Sequence, residues 1–219
     1  MPKLRAHNLT ITLDGFATGT DQRLDAPFGD GVDGLHDWMF AAMRDRAEGK
    51  TGIDVGFVAR SEENIGATIM GRNMFGPLRG PWQDESWTGW WGDNPPYHHD
   101  VFVRTHHLRP SLPMEGGTTF HFSDETVETV LERAFDAAAG KDVRIGGGPD
   151  TVQQYLRAQL VDELHLAIAP MLAGRGERLL DNLGDAADGY RVAGRDRAPP
   201  RTPAVVVPPG PPKRRRRGG

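Results

Sequence analysis

Apolar residues in this chain recur in two rhythms, and the segments they mark alternate between strand and helix. Leu9 to Leu13 is a short β-branched run closed by Asp14-Gly15, a turn signal, and it predicts an opening strand. Leu35, Trp38, Met39, Ala42 and Met43 then fall three and four residues apart, which predicts a helix ending by Gly49. Gly66 to Met70, Asp100 to Thr105 and Thr119 to Phe122 read as further strands. Ser123 is placed to cap a helix whose first turn holds Asp124 and Glu125, where carboxylates favour the dipole. Behind it, Val127, Val130, Leu131, Ala134 and Ala138 make a helical stripe. Asp142 to Ile145 predicts a strand, Pro149 to Gln159 a helix and Leu164 to Ala169 a last strand. This alternation predicts an α/β domain, a sheet with covered faces.

Two segments break the rhythm. Residues 77–99 hold Trp82, Trp87, Trp90 and Trp91 among Gly, Pro and Asp, with no regular period. A loop this long is expected to be a lid, a subunit contact, or a segment pinned by its own aromatics. From Gly194 the composition turns to Arg, Pro, Gly and Ala, with seven prolines in residues 199–212. That predicts a domain over 1–194 and a disordered tail over 195–219. The same four residue types are what a G/C-rich gene yields out of frame, so a frameshift is one expected origin of the tail.

Charge divides the chain at the same place. The tail carries eight basic residues against Asp196 alone, which leaves the remainder strongly acidic although the total is only −4. An acidic body presents no nucleic-acid footprint. The absence of Cys excludes disulfides, Cys-ligated zinc and a thiol nucleophile. No run approaches the roughly 18 apolar residues of a membrane span, and no basic-then-apolar leader opens the chain, so a cytoplasmic protein without membrane partners is expected. The pairs His98-His99 and His106-His107 point to opposite faces if they lie on strands, and HExxH is absent, so no metal site is expected. His165, inside an apolar strand, is expected to be a hydrogen-bonded interior or interface residue.

Three strand ends carry groups suited to phosphate. In DVRIGGGPDTVQQYL a strand ends in Gly146, Gly147 and Gly148, and a helix starts with proline at its first position. Glycines allow close backbone approach, and the helix N-terminus offers N–H groups and a favourable dipole to an anion. Thr151 adds a hydroxyl in the first turn. In IMGRNMF, Arg72 follows Gly71 at a strand end, where its fork suits a phosphate. In FVRTHHLRP, Arg104, Thr105, His106, His107 and Arg109 cluster at another. Such groups gather at the carboxyl edge of an α/β sheet. The spacing is neither GxGxxG nor a P-loop.

The ordered motifs TLDGF, IGATIMGRNMF, VFVRTHH, GGTTFHF, KDVRIGGG and VDELHLAIAPMLAGRGERL, across about residues 3–193, resemble the dihydrofolate reductase-like family. Within it, the chain is similar to stand-alone relatives of the C-terminal reductase domain of the riboflavin-pathway deaminase–reductase. The resemblance implies a central mixed, mostly parallel sheet with flanking helices, NADP(H) as cofactor and a homodimer. Carried over by motif, Gly71, Arg72, Thr105, His106 and Gly146 to Gly148 bind the cofactor, with the 2′-phosphate near Arg72, Thr105 and His106.

The substrate side stays open. In dihydrofolate reductases an acidic residue early in the first helix anchors the heterocycle; here Asp33 and Asp37 flank that point, and Asp14 faces the expected cleft. Each also has an ordinary role available, as a turn residue, a helix-start residue or a solvated carboxylate. Trp38 is placed to stack on a planar ring or to pack in the core. The activity implied is NADPH-dependent reduction of a small nitrogen heterocycle of pterin, folate or aminopyrimidine type. One alternative is reduction of the ribosylaminopyrimidine intermediate of riboflavin synthesis; another is a module that holds NADP(H) without turnover. Relatives continue past the GYRV segment into a final strand that residues from 195 lack, so an uncovered sheet edge is expected.

Overall fold

The computed structural model describes residues 1–77, 79–82, 86–194 and 196. The chain runs β1 (Leu4–Thr12), β2 (Phe16–Thr18), α1 (Asp37–Ala47), α2 (Ile53–Glu62), β3 (Ile65–Gly71), α3 (Arg72–Phe75), β4 (Asp100–Arg104), β5 (Leu112–Pro113) and β6 (Thr119–Ser123). It continues with α4 (Val127–Ala138), β7 (Asp142–Gly147), α5 (Pro149–Arg157), β8 (Glu163–Ala169) and β9 (Glu177–Arg178). Seven strands form one sheet in the order β5-β6-β4-β3-β7-β1-β8. All neighbours are parallel except β5, which pairs antiparallel with β6. The mixed, mostly parallel α/β architecture expected from the sequence is therefore present.

Parallel pairing brings the carboxyl ends of the strands to one edge, and the register aligns them. Gly71 pairs with Arg104, Arg104 with Ser123, and Met70 with Gly147. The three phosphate-suited motifs thus end side by side.

The two faces of the sheet are covered differently. On one, α4 and α5 bury Val130, Leu131, Ala134, Val152, Tyr155 and Leu156 against Leu4, Ala6, Ile69 and Ile145. The approach is close: a Cβ on Gly66 would lie 2.5 Å from the Ala138 carbonyl oxygen. On the other face, α1 and α2 pack together through Ala42, Val55 and Val58, with Trp38 and Met39 beside them. Over β3, β4 and β6, among the described residues, only the four-residue α3 lies on that face, and aromatic residues of the Trp-rich segment pack beside it. Phe75, Tyr97 and Phe120 form a buried cluster there, with Trp82, Trp87 and Trp91 packed on it. Its rings meet edge to face, as in the Phe75–Phe120 and Trp91–Tyr97 pairs at 5.0 Å, a favoured aromatic geometry. Of the roles expected for 77–99, the aromatic anchoring is what the described residues display.

Several local expectations need correction. β1 begins five residues earlier than the apolar run suggested, because buried Arg5 interrupts the pattern while its guanidinium reaches the carbonyls of Arg60 and Glu63. Ser123 does not cap α4. It ends β6 and closes a turn with Glu125, whereas Thr126 accepts the Thr129 N–H as the cap. The helix α2 adds to the expected elements, its period masked in the sequence by a glycine at its fourth position and mixed polarity. Leu35 precedes α1 rather than joining it, and Met43 is exposed. β8 closes the sheet order and, among the described residues, pairs only with β1, so an open edge is seen there. The expected disordered tail lies outside the described residues apart from Asp196.

Candidate active site

At the carboxyl edge, the end of β7 and the start of α5 meet the end of β3. A Cβ on Gly71 would sit 2.5 Å from Thr151 Oγ1 and 3.4 Å from the Gly148 nitrogen, so only glycine admits this crossing. Gly147 has φ +134°, which L side chains rarely adopt, and a Cβ there would lie 3.3 Å from Met74 Sδ. The Gly147–Gly148 peptide is cis. By contrast, a Cβ on Gly148 would meet nothing within 4 Å, which leaves that backbone open to approach from outside. Gly148 is the cap of α5 and supplies no side-chain acceptor, so the first-turn N–H groups are not consumed by a capping side chain. Gly71, Gly146 to Gly148 and Thr151 are thereby brought together as the sequence suggested. The turn thus presents open backbone at Gly148 beside an uncapped helix N-terminus, the kind of donors an oxyanion accepts from.

The basic groups sit at the ends of β3 and β4. The Arg72 guanidinium lies 3.3 Å from the centre of the Trp82 ring, and that of Arg109 lies 4.8 Å from the same ring. Burial, and the nearby Arg109 charge, pull the Arg72 pKa down to about 10, so Arg72 is still a cation at neutral pH. The Trp82 indole N–H donates to the His107 carbonyl at 2.7 Å. Thr105 is buried, and its hydroxyl accepts the His107 N–H at 3.1 Å, which makes it a turn-former before anything else. His106 is exposed beside it. Arg104 turns away from the edge to bond the Glu125 carbonyl and the Gln154 side chain, tying β4 to α5. The two-arginine stack on Trp82 was not legible in the sequence, because Arg109 returns to Arg72 only through the turn that Thr105 closes.

A cleft of about 470 Å³ opens between the segment after β2, the start of the Trp-rich segment and β9. Gly19, Thr20, Gln22, Pro77, Arg79 and Glu177 are among its lining residues. An Arg79–Glu177 ion pair spans it.

The three candidate acids fare unequally. Asp14 is held by the loop after β8: Oδ1 accepts from the Thr12 hydroxyl at 2.6 Å and the Ala173 N–H at 3.1 Å, and Oδ2 accepts from Gly174 N–H at 2.7 Å. Those donors, led by Thr12, lower its pKa to about 2, so it is a poor proton donor near neutrality. Its evident work is to clamp two loops. Asp37 opens α1 and Asp33 precedes it, both exposed. Among the described residues, none of the three bonds to the glycine turn or to Arg72. Trp38 packs beside Ala42 and donates its indole N–H to buried Thr10 at 3.0 Å, the core placement rather than an open stacking face.

Histidines at three positions, His36, His99 and His165, stay neutral inside the fold, with burial lowering each pKa to about 4. His99 bonds Thr68 at 2.8 Å and His165 bonds Asn8 while stacking on Phe57 at 3.9 Å. Among the described residues, no group of three or more His, Cys, Asp or Glu is arranged to hold a metal ion. None of the described helices is long and apolar enough to cross a membrane.

A family model for the RibD C-terminal domain matches residues 3–195. The chain belongs to that family, a family of reductases. It is similar to a solved structure from Shewanella sp. PV-4 named for riboflavin biosynthesis, at 22% identity and TM-score 0.48 over 82% of each chain. It is also similar to a pyrimidine reductase-like protein from Corynebacterium diphtheriae, at 16% identity and TM-score 0.45, over 87% of this chain and 83% of that one. Among curated proteins, none matches.

Proposed function

We propose that this member of the RibD C-terminal domain family is an NADPH-dependent reductase of a small nitrogen heterocycle, of pterin, folate or aminopyrimidine type. The observation that carries the reading is the glycine cradle, in which Gly71 yields to Thr151 and Gly148 presents open backbone at the start of α5. NADP(H) would supply the hydride; the protein's part is to hold it and to orient the acceptor ring. Gly146 to Gly148 and the α5 N-terminus would hold the pyrophosphate. Arg72, with Thr105 and His106 at the next strand end, would face the 2′-phosphate. The 470 Å³ cleft, whose lining carboxylates are Asp21 and Glu177, is the space we assign to the heterocycle; Asp33 and Asp37 are not among its lining residues and stay candidate acids once Asp14 is committed to its loops.

The engagement of Asp14 also favours a second reading, a module that binds NADP(H) without turnover. One assay separates the two. NADPH oxidation at 340 nm is followed against a panel of pterins, folates and aminopyrimidines, including the ribosylaminopyrimidine intermediate of riboflavin synthesis. Turnover of any member supports the reductase, and tight NADPH binding without turnover across the panel supports the module. Failure to bind NADPH at all overturns both. A homodimer in the cytoplasm belongs to the same proposal, and sedimentation of the purified chain tests the dimer.

A further inference from the structure

Two arginines lie side by side on the second face of the sheet and are provided for in opposite ways. Val143 and Ile145 of β7 belong to the α4–α5 core, so Arg144 between them faces the other side. There it stands in register with Arg5 on β1 and with Thr68 on β3. Arg5 is buried and well supplied: its guanidinium donates to the Arg60 and Glu63 carbonyls and pairs with Asp142 and Glu163. Arg144 has no such partners. Its Nε is buried without a hydrogen bond, and neither of its terminal nitrogens bonds or ion-pairs with a described residue.

The groups around Arg144 do not supply the missing charge. The Tyr97 ring centre lies 5.6 Å from the guanidinium carbon, and burial pushes the Tyr97 pKa up, so this residue is neutral. His99 is neutral too, with a pKa of about 4, and its Nε2 is taken by Thr68. Glu62 is the carboxylate whose field reaches Arg144, and it is ion-paired with Arg46. Burial accordingly pulls the Arg144 pKa down. A cation withdrawn from water without a counter-charge is costly, which is why buried charges in folded proteins are paired or bind a ligand. Arg144 as a whole is only half-buried, so its terminal nitrogens can be reached from outside. Tyr97 adds a second donor, because its hydroxyl forms no hydrogen bond with a described residue and lies within electrostatic reach of the guanidinium.

We propose that Arg144 and Tyr97 form a binding site for the oxyanion of a small carboxylate or phosphate, on the second face of the sheet and separate from the glycine cradle. Paired oxygens of such a group match the guanidinium fork, and the Tyr97 O–H adds a neutral donor. The ligand brings the charge that the fold omits beside Arg144 and provides beside Arg5. None of these residues belongs to the cradle, so the proposal stands apart from the NADP(H) reading.

The test follows the Nε–H resonances of the arginines by two-dimensional ¹⁵N spectroscopy of the full chain. Inorganic phosphate and glutarate are the probes, with chloride at matched ionic strength as the reference. The Arg144 resonance, identified by its loss in Arg144→Met, should shift saturably with at least one probe and not with chloride; which probe does so distinguishes phosphate from carboxylate. Tyr97→Phe, which removes only the hydroxyl, should weaken that probe by roughly fivefold. Gly147→Val should leave the titration unchanged. Thermal melts establish that each variant is folded; if Arg144→Met is not, Arg144→Lys identifies the resonance. A resonance that neither probe moves overturns the proposal; if it moves instead with protein concentration, the counter-charge comes from a second copy of the chain. A titration lost in folded Gly147→Val also overturns it, by assigning the anion to the cradle. An affinity unmoved by Tyr97→Phe overturns the site as a pair of donors.

Discussion

Two halves of the same sheet edge are built on different principles. Around β3, β7 and α5 the shape is set by backbone: Gly71 clears Thr151, Gly147 holds a positive φ, and no titratable side chain is needed to close the turn. Around the ends of β1 and β8 the shape is set by one carboxylate, as Asp14 gathers Thr12, Ala173 and Gly174. The first kind of construction leaves marks in a sequence, because glycine is the only residue that serves. The second does not, because an aspartate in a turn looks the same whether it clamps a loop or faces a substrate.

The comparison breaks most sharply at Gly147. Any L residue there must take a conformation costing on the order of 1–3 kcal/mol, and a β-branched one also presses on Met74. Gly147→Val should leave a folded but less stable protein whose NADPH affinity falls more than about 100-fold, equivalent to about 2.8 kcal/mol. Calorimetric titration of a variant shown to melt cooperatively provides the check; near-normal affinity would remove the cradle from the cofactor site.

Arg72→Ala acts on the side-chain part of the same half. Loss of a charge-assisted contact costs about 1.5–3 kcal/mol, or roughly 10- to 150-fold. NADPH should weaken by that factor and NADH hardly at all. Equal losses for both nucleotides would mean that Arg72 does not face the 2′-phosphate.

A smaller and purely structural effect is expected at Gly71. Its Cβ would overlap Thr151 Oγ1, so Gly71→Ala should cost about 1–3 kcal/mol of stability through overpacking. Removing the hydroxyl and its methyl partner in Gly71→Ala/Thr151→Ala should recover much of that loss. Chemical denaturation of the two single variants and the double variant gives the coupling. Additive losses would show that the two residues are not in contact.

The same division explains what could be read in advance. The helices α4 and α5 follow their periodicity because each buries one clear face, as Val130, Leu131, Ala134 and Ala138 do in α4, while β3 and β4 show as short apolar runs because consecutive residues are buried. The helix α1 was legible from its spacing to within two residues at its start, whereas α2 was not, because it buries few residues, leaves Ile53 exposed and carries a glycine inside it. The Trp-rich segment could be located but not placed. Nothing in its spacing indicates that Trp82, Trp87 and Trp91 pack beside the short α3 on the second face of the sheet. The glycine turn could be marked because three glycines between a strand and a helix are a local signal; the contact that requires glycine at 71 is with Thr151 and shows only in the fold. The Arg72–Trp82–Arg109 stack was not, since it joins residues that only the fold brings together. For Asp14, Asp33 and Asp37 local sequence offered equal roles, and only the hydrogen bonds of Asp14 separate them.

The smallest expected effect is on acid stability, and it separates the two halves by pH. His36, His99 and His165 have folded pKa values near 4, chiefly through burial, against an ordinary 6.5. A depressed pKa means that the folded state resists the proton. Their contribution is therefore complete above about 6.5 and is lost as the pH falls toward 4. Asp14, at about 2 against 3.8, gives a second and lower window: its clamp is intact above about pH 4 and fails as the pH approaches 2. The glycine turn has no comparable group and should be indifferent to pH over that lower window. Urea midpoints measured from pH 7 to pH 2.5 should fall in both windows. Asp14→Ala should lower the midpoint at neutral pH modestly, because the group is solvent-exposed, and should flatten the profile below pH 4 while leaving the histidine window unchanged. Amide exchange adds the local view, since Ala173 and Gly174 should exchange faster in that variant while Gly148 and Thr151 do not. A variant whose profile below pH 4 is as steep as the parent's would show that Asp14 does not hold the β8 loop, and would return it to the candidate acids beside Asp33 and Asp37.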